Sequence, residues 1–498
     1  MLGAQGFDCE RLLLEPDFAR FSRAAVASVA AGSAQPVRDA LGSSPGGVEI
    51  ERAAFATSIQ GVAPLLAVIS DVDVLPEELA EFLRVEARQS AARSQALLAA
   101  LAEVQSALSR DEIQPVALKG AALLLSGAAE PGLRPMADLD FLLADPAKME
   151  EATRALGAIG WRPLFDTRRH RVFAREGERV ARPGCEDPEN PIRVELHYNL
   201  RLPVLGRVYD VTHALLAAAE PVERYGARIL VAAGNALRRH LLVHAAEDFA
   251  AAGIRGVQAH DFRLLSRREG PLRIALSEAD RKAGLAPLAY AARAIERLFP
   301  GSFAPEFLAV LCGGVPGMFL ERADALSPFR KTRPPRGWTK RALSLAESPA
   351  AKVRFLARTS FPPLEEVKIN VAPGARGLTL ALAWLRILGG RFRSALGRRQ
   401  TSGPGPASTV VLRPGTVRCF ERFGPGTVNR GAVLFCCEWD GGVFESGVLW
   451  NGIFRSGTFR GGVFRGGWWR GGVFEGGFWH RGYGPDGRYR PRGEAPRS

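Results

Sequence analysis

The chain has 498 residues, enough for two or three domains, and its 47% hydrophobic and 24% charged residues are those of a globular protein. Its six cysteines show no zinc spacing and no disulfide framework, its first ten residues lack the basic-then-apolar pattern of a signal peptide, and its longest apolar run, 378–388, contains Arg386 and is too short to span a bilayer. These features predict a cytoplasmic protein. The net charge of +14 is uneven: residues 327–498 hold 29 Lys and Arg against 10 Asp and Glu, so the earlier part is slightly acidic and the later part is a basic surface suited to phosphates, nucleic acid or anionic membrane.

In chain order, residues 17–31 read as a helix, and 32–47 are turn-rich. From 48 to 108 apolar residues recur at three- and four-residue spacing, which predicts helices, the last of them long and opened by Pro76. Residues 116–118 end a short apolar strand, Lys119-Gly120 makes a turn, and 121–125 start a helix. Asp138-Leu139-Asp140-Phe141-Leu142-Leu143 is a second strand. Strand side chains alternate between faces, so Asp138 and Asp140 share one face while Leu139 and Phe141 enter a core. Two neighbouring carboxylates repel unless a cation lies between them, and their hard oxygens suit Mg²⁺, with Mn²⁺ as a substitute. The glycine turn ahead of a helix is a candidate phosphate cradle. Together these point to metal-dependent chemistry on a nucleoside triphosphate.

Asp145 reads as an N-cap of a helix over 147–156, and 161–165 and 170–175 as a strand hairpin. A loop over 176–191 leads to a strand at 192–198 with Glu195 and His197 on one face. Asn235 is expected to cap a helix over 236–251, on which His240 and His244 lie four apart. The glutamate of a zinc-protease motif is missing there, so both read as structural histidines, as does His197. Further helices are expected over 261–265 and 277–298. A basic amphipathic helix over 379–393 is expected to pack on the helical part or lie on an anionic membrane surface.

The segments L-K-G, R-P-M-A-D-L-D-F-L-L and V-E-L-H-Y resemble the polymerase-β-like nucleotidyltransferase superfamily, and more closely its bacterial branch of uncharacterised nucleotidyltransferases. The resemblance spans about residues 50–398. It implies an α+β fold with a mixed sheet core between helical regions, and an enzyme that moves a nucleoside monophosphate from an NTP to an unknown acceptor by a two-metal mechanism. Carried across, Asp138, Asp140 and Glu195 are the metal ligands and catalytic acids, and Lys119, Gly120 and Arg134 bind the nucleotide. The wider superfamily has Gly-Ser or Gly-Gly at the turn where this chain has Lys119-Gly120. The competing reading is a non-catalytic nucleotide-binding scaffold.

From Gly442 a five-residue period holds strict register, with glycines at 442, 447, 452, 457, 462, 467, 472 and 477 and a large residue two places after each. This resembles pentapeptide-repeat proteins, which implies a β-solenoid-like four-sided coil. A twisted antiparallel sheet is the alternative. The repeat is expected to mediate self-association or partner binding. Arg455, Arg460, Arg465 and Arg470 among aromatics could also bind single-stranded nucleic acid, although the in-register aromatics read as core. The expected organisation is a helical region at 1–110, the catalytic core at 111–205, a helical domain at 206–398, a linker at 399–426, the repeat module at 427–485 and a disordered tail at 486–498.

Overall fold

A computed structural model describes residues 16–45, 47–167, 169–175, 191–326, 328–329, 338–360, 410–412, 417–419, 422–425, 427–435, 438–483 and 489–490. Five helices come first: α1 (Pro16–Ala31), α2 (Gln35–Leu41), α3 (Gly47–Ile59), α4 (Ala63–Ala67) and the 34-residue α5 (Glu77–Arg110). The buried residues of α5 recur at helical spacing (Leu79, Leu83, Leu97, Leu101, Val104, Leu108), so one stripe of the helix faces the core.

The sheet follows: β1 (Pro115–Ala117), α6 (Lys119–Leu125), β2 (Asp138–Leu143), α7 (Met149–Ala158), β3 (Trp161–Asp166), β4 (His170–Arg175) and β5 (Arg193–His197). A separate hairpin, β6 (Arg201–Val204) and β7 (Arg207–Asp210), and a short helix, α8 (Thr212–Ala217), precede β8 (Ala219–Arg224) and β9 (Ala227–Ala232). Seven strands pair in the order β3-β4-β5-β2-β1-β9-β8. The β5–β2 and β1–β9 pairings are parallel and the other four antiparallel, so the sheet is mixed as expected. Its extent is not as expected, because β8 and β9 carry it past residue 205. Their two-residue turn, Tyr225-Gly226, has both φ angles positive (52° and 73°), the form that matches the twist of a tight hairpin.

Helices α9 (Gly234–Ala251), α10 (Gly256–Glu269), α11 (Glu278–Ala283), α12 (Ala286–Leu298), α13 (Pro305–Cys312), α14 (Gly317–Ala325), α15 (Trp338–Leu345) and α16 (Pro349–Ser360) follow. Two local expectations are corrected. The helix expected over 277–298 is broken at Gly284, whose φ of 95° ends α11. Asn235 does not cap α9: its amide exchanges hydrogen bonds with the backbone of Ala275. The basic helix expected over 379–393 lies outside the described residues.

The C-terminal strands are β10 (Val410–Leu412), β11 (Val417–Cys419), β12 (Arg422–Phe423), β13 (Thr427–Phe435), β14 (Glu438–Phe459), β15 (Val463–Trp469), β16 (Val473–Phe474), β17 (Phe478–Tyr483) and β18 (Tyr489–Arg490). Pairing therefore begins at Val410, inside the stretch expected as linker, and reaches Tyr489–Arg490 in the expected tail. These strands pair in parallel except β17 with β18, which excludes the antiparallel-sheet alternative among the described residues. The repeated offset is fifteen: Val448 lies against Val463, Thr458 against Val473, Val463 against Phe478. A four-sided coil of five-residue faces would pair residues twenty apart, so that expectation is corrected.

Ring packing explains the shorter offset. Phe444, Phe459 and Phe474 stack face to face, as do Phe454 on Trp469 (4.2 Å) and Phe464 on Trp479 (4.4 Å), while rings five apart meet edge-on. The rings stacked at this offset form one apolar cluster. In a flat strand an odd spacing of five would send successive rings to opposite faces, yet Trp439, Phe444, Leu449, Phe454 and Phe459 of β14 are all buried in one cluster. The chain must turn between them. Gly442, Gly447 and Gly457 do this at φ of 83–110°.

Candidate functional site

The site is built on three neighbouring strands. Parallel pairing of β2 with β5 sets Asp138 against Arg193, Asp140 against Glu195 and Leu142 against His197. Antiparallel pairing of β5 with β4 sets His197 against His170. The alternation that places Asp138 and Asp140 on one face thus adds Glu195 and His197 to that face, while Leu139, Phe141, Val194 and Leu196 are buried. The long helix α5 fixes the start of both acid strands: its buried Arg93 donates to the carbonyls of Ala137 (2.6 Å) and Pro191 (3.2 Å).

Lys119 follows β1 and has a φ of 47°, which is uncommon for a side chain with a Cβ. That conformation turns the chain so that its Nζ reaches Asp140 Oδ1 at 2.6 Å. The same oxygen lies 3.1 Å from His197 Nε2. Glu195 Oε2 lies 3.6 Å from His197 Nε2 and 3.7 Å from His170 Nε2. Gly120 is required by its neighbours: a Cβ there would collide with the Arg134 guanidinium and Met136 Sδ. Arg134 makes a two-pronged ion pair with buried Asp261, at 3.0 and 2.8 Å, across 127 residues of sequence.

These charges shift one another. Burial, then the adjacent Asp140 charge, push the Asp138 carboxyl up to about 7, against the pull of Lys119. Burial also acts on Asp140, but Lys119 and His197 outweigh it and hold that carboxyl well below the usual range. Glu195 is likewise held low: burial opposes this, and the His197 contact is the largest cause in favour. Burial disfavours the Lys119 ammonium, yet Asp140, Glu195 and Asp138 together raise its pKa. His197 is raised in spite of burial by Asp140 and Glu195, whereas burial drives His170 down to about 4. The result is a cluster of three acids, one ammonium and a histidine whose protonated form is favoured.

Asp138, Asp140, Glu195 and Lys119 are therefore brought together as the sequence suggests. Gly120 and Arg134 stand beside them, with Arg134 held by Asp261. His197, expected to be structural, is in the cluster, and His170 was missed, because a lone histidine on a hairpin strand has no motif. The signal available was the strand pairing itself, since an antiparallel neighbour of β5 must bring a residue opposite His197. His240 and His244 of α9 lie with ring centroids 6.5 Å apart; burial holds both below the usual histidine range, and no third metal ligand joins them among the described residues. Among those residues no helix is long and apolar enough to cross a membrane.

A family model described as "Uncharacterised nucleotidyltransferase" matches residues 49–300, just over half of the chain. The match takes in α5, the whole sheet and the helices to the end of α12. No curated protein matches.

Proposed function

The chain belongs to the family of uncharacterised nucleotidyltransferases, and on that premise we propose that it transfers a nucleoside monophosphate from an NTP to a nucleophilic group on an acceptor. The acceptor atom bonds to the α-phosphorus, the bond to the β-phosphate oxygen breaks, pyrophosphate leaves, and the acceptor's proton passes to a base. The observation that carries this reading is the register of β2 with β5, which puts Asp140 directly against Glu195 with Asp138 on the same face.

The residues fit a divalent cation. Three carboxylates cluster on one face of the sheet with one ammonium, and burial, then the Asp140 charge, raises Asp138. Asp138, Asp140 and Glu195 would hold the ion, with Mg²⁺ the first choice for an all-oxygen set. Such an ion supplies charge neutralisation on the phosphates and makes the attacking group easier to deprotonate. Asp140 is kept ionised by Lys119 and His197. Glu195, also held ionised, would complete the cation site or take the acceptor's proton. Lys119 lies beside the acids, where a cation meets phosphate charge, and Arg134 adds positive charge behind Gly120.

We assign the helices before β1 and after β9 to framing the acceptor pocket, with the catalytic unit extended to Ala232 to include β8 and β9. The offset of fifteen supports reading the C-terminal strands as a three-sided coil of three five-residue faces per turn, a separate module suited to partner binding or self-association. A second reading, nucleotide binding without turnover, rests on Asp140 being already engaged by Lys119 and so less available to a catalytic ion.

The test is Mg²⁺-dependent binding and turnover of the four labelled NTPs by wild type and Asp138→Ala/Asp140→Ala. Pyrophosphate release or label transfer that the double variant abolishes supports transfer. Metal-dependent binding with no turnover, across protein, RNA and small-molecule acceptors, supports the scaffold. A folded protein that binds neither metal nor NTP contradicts both.

A further inference from the structure

We propose that His170, Glu195 and His197 form a cation site of their own beside the aspartate pair, and that it takes a borderline divalent ion such as Zn²⁺ or Co²⁺ rather than Mg²⁺. The site stands on its geometry apart from the nucleotidyl-transfer reading, with which it shares Glu195.

Three strand positions converge. β4 and β5 set His170 opposite His197, and Glu195 lies two residues before His197 on the same face of β5. Each side chain offers one ligand atom such that all three lie within 4.8 Å of one another. Both imidazole Nε2 atoms approach the same carboxylate oxygen, at 3.7 and 3.6 Å. These separations are too long for hydrogen bonds. They are near the roughly 3.4 Å between tetrahedral neighbours on an ion with metal–ligand bonds of about 2.0–2.2 Å, and binding would draw the three ligand atoms, now within 4.8 Å, closer together. Both Nδ1 atoms are buried with no hydrogen-bond partner among the described residues, so the imidazoles are not committed elsewhere through that nitrogen.

Donor type decides the ion. Two imidazoles and one carboxylate suit Zn²⁺ and Co²⁺, whereas Mg²⁺ prefers oxygen and retains its waters. A three-ligand set also leaves a coordination position for substrate or water, as in catalytic rather than structural zinc sites. Glu195, with an oxygen toward the histidines and its strand neighbour Asp140 on the other side, is the element common to the two sites. The competing account is that His197 serves only as a counter-ion to Asp140, 3.1 Å away.

The experiment uses the full chain stripped with a chelator and titrated with Co²⁺ alone, followed by its visible d–d absorption. The expected result is a tightest first equivalent with a band typical of nitrogen and oxygen ligands. One equivalent of Zn²⁺ should displace it, and a thousandfold excess of Mg²⁺ should not. Glu195→Gln and His170→Ala should each weaken Co²⁺ at least thirtyfold, with circular dichroism confirming the fold. If His170→Ala does not fold, His170→Gln takes its place. No band, displacement by Mg²⁺, or equal affinity in the His170 variants overturns the proposal and leaves His197 a counter-ion. The NTP assay of the preceding section is read separately with Mg²⁺ on the Asp138 variants, so failure of either reading does not imply failure of the other.

Discussion

The chain uses parallel strand pairing in two ways. In the N-terminal sheet, β2 and β5 are 55 residues apart in register, and their pairing joins unlike residues that meet once: Asp140, Glu195, His197 and, from the next strand, His170. In the C-terminal strands an offset of fifteen recurs and stacks ring on ring, so Phe444 meets Phe459 and Phe459 meets Phe474. The hydrophobic residues of the two parts form separate clusters. The first arrangement concentrates charged groups at one point. The second spreads apolar stacking over repeated levels, and its costs should be local and cumulative. Repetition builds a surface, and unlike pairing builds a site.

The strongest way to break this contrast is to remove the internal cation. Lys119→Met leaves Asp140 buried with its closest partner gone and should cost about 3–5 kcal/mol in chelator, as for one-sided loss of a buried ion pair. Part of that loss should return on adding a divalent cation. Urea unfolding with and without the ion measures it, and an unchanged midpoint in chelator would show that the cluster does not depend on Lys119.

In the repeat, Phe459→Ala removes a ring held between Phe444 and Phe474 and should cost about 3–4 kcal/mol. The loss should appear in the C-terminal tryptophan fluorescence and leave the sheet's transition in place. One shared transition for both regions would dissolve the comparison. A smaller loss, about 2 kcal/mol, is expected for Gly457→Ala, whose φ is 105° and whose added Cβ would sit 2.6 Å from the Gly442 carbonyl oxygen. Gly42→Ala has a φ of 80° with nothing within 4 Å of its Cβ, so it isolates the backbone strain. Equal losses at the two positions would mean that close stacking of levels adds nothing.

The smallest effect is with pH. Burial lowers the His260 pKa to about 4, so between about pH 6.5 and 4 the unfolded chain takes up a proton that the folded chain refuses. Stability from this group is complete above pH 6.5 and is lost as the pH falls, by about 1.4 kcal/mol at pH 5.5. His260→Phe should flatten this part of the curve in urea midpoints at pH 7.5 and 5.5. A variant as acid-sensitive as wild type would remove His260 as the cause.

Much of the sheet site was legible because strand alternation is local. Asp138-Leu139-Asp140 and Val194-Glu195-Leu196 each state which face is apolar, and K-G before the first strand marks a turn. Partners far apart in sequence were not legible: Arg134 finds Asp261, and Arg93 of α5 finds Ala137 and Pro191, through folding of whole elements. β8 and β9 were read as part of a helical stretch, although Tyr225-Gly226 carried the hairpin signal. In the repeat, the five-residue period gave the inward positions, Phe444 to Trp479, but not the number of faces. The offset of fifteen comes from the pairing of strands distant in sequence, which no single repeat reports.

Two strands hold Asp138, Asp140 and Glu195 in register, and on the proposed function the three act as one unit. The direct measurement is single-turnover NMP transfer, or pyrophosphate release, for Asp138→Asn, Asp140→Asn, Glu195→Gln and the triple variant, each checked for fold. The account predicts a loss of at least about a thousandfold in every single variant, and little further loss in the triple variant, as for groups that function together. A Glu195→Gln protein that turns over like wild type, or losses that multiply, would contradict it.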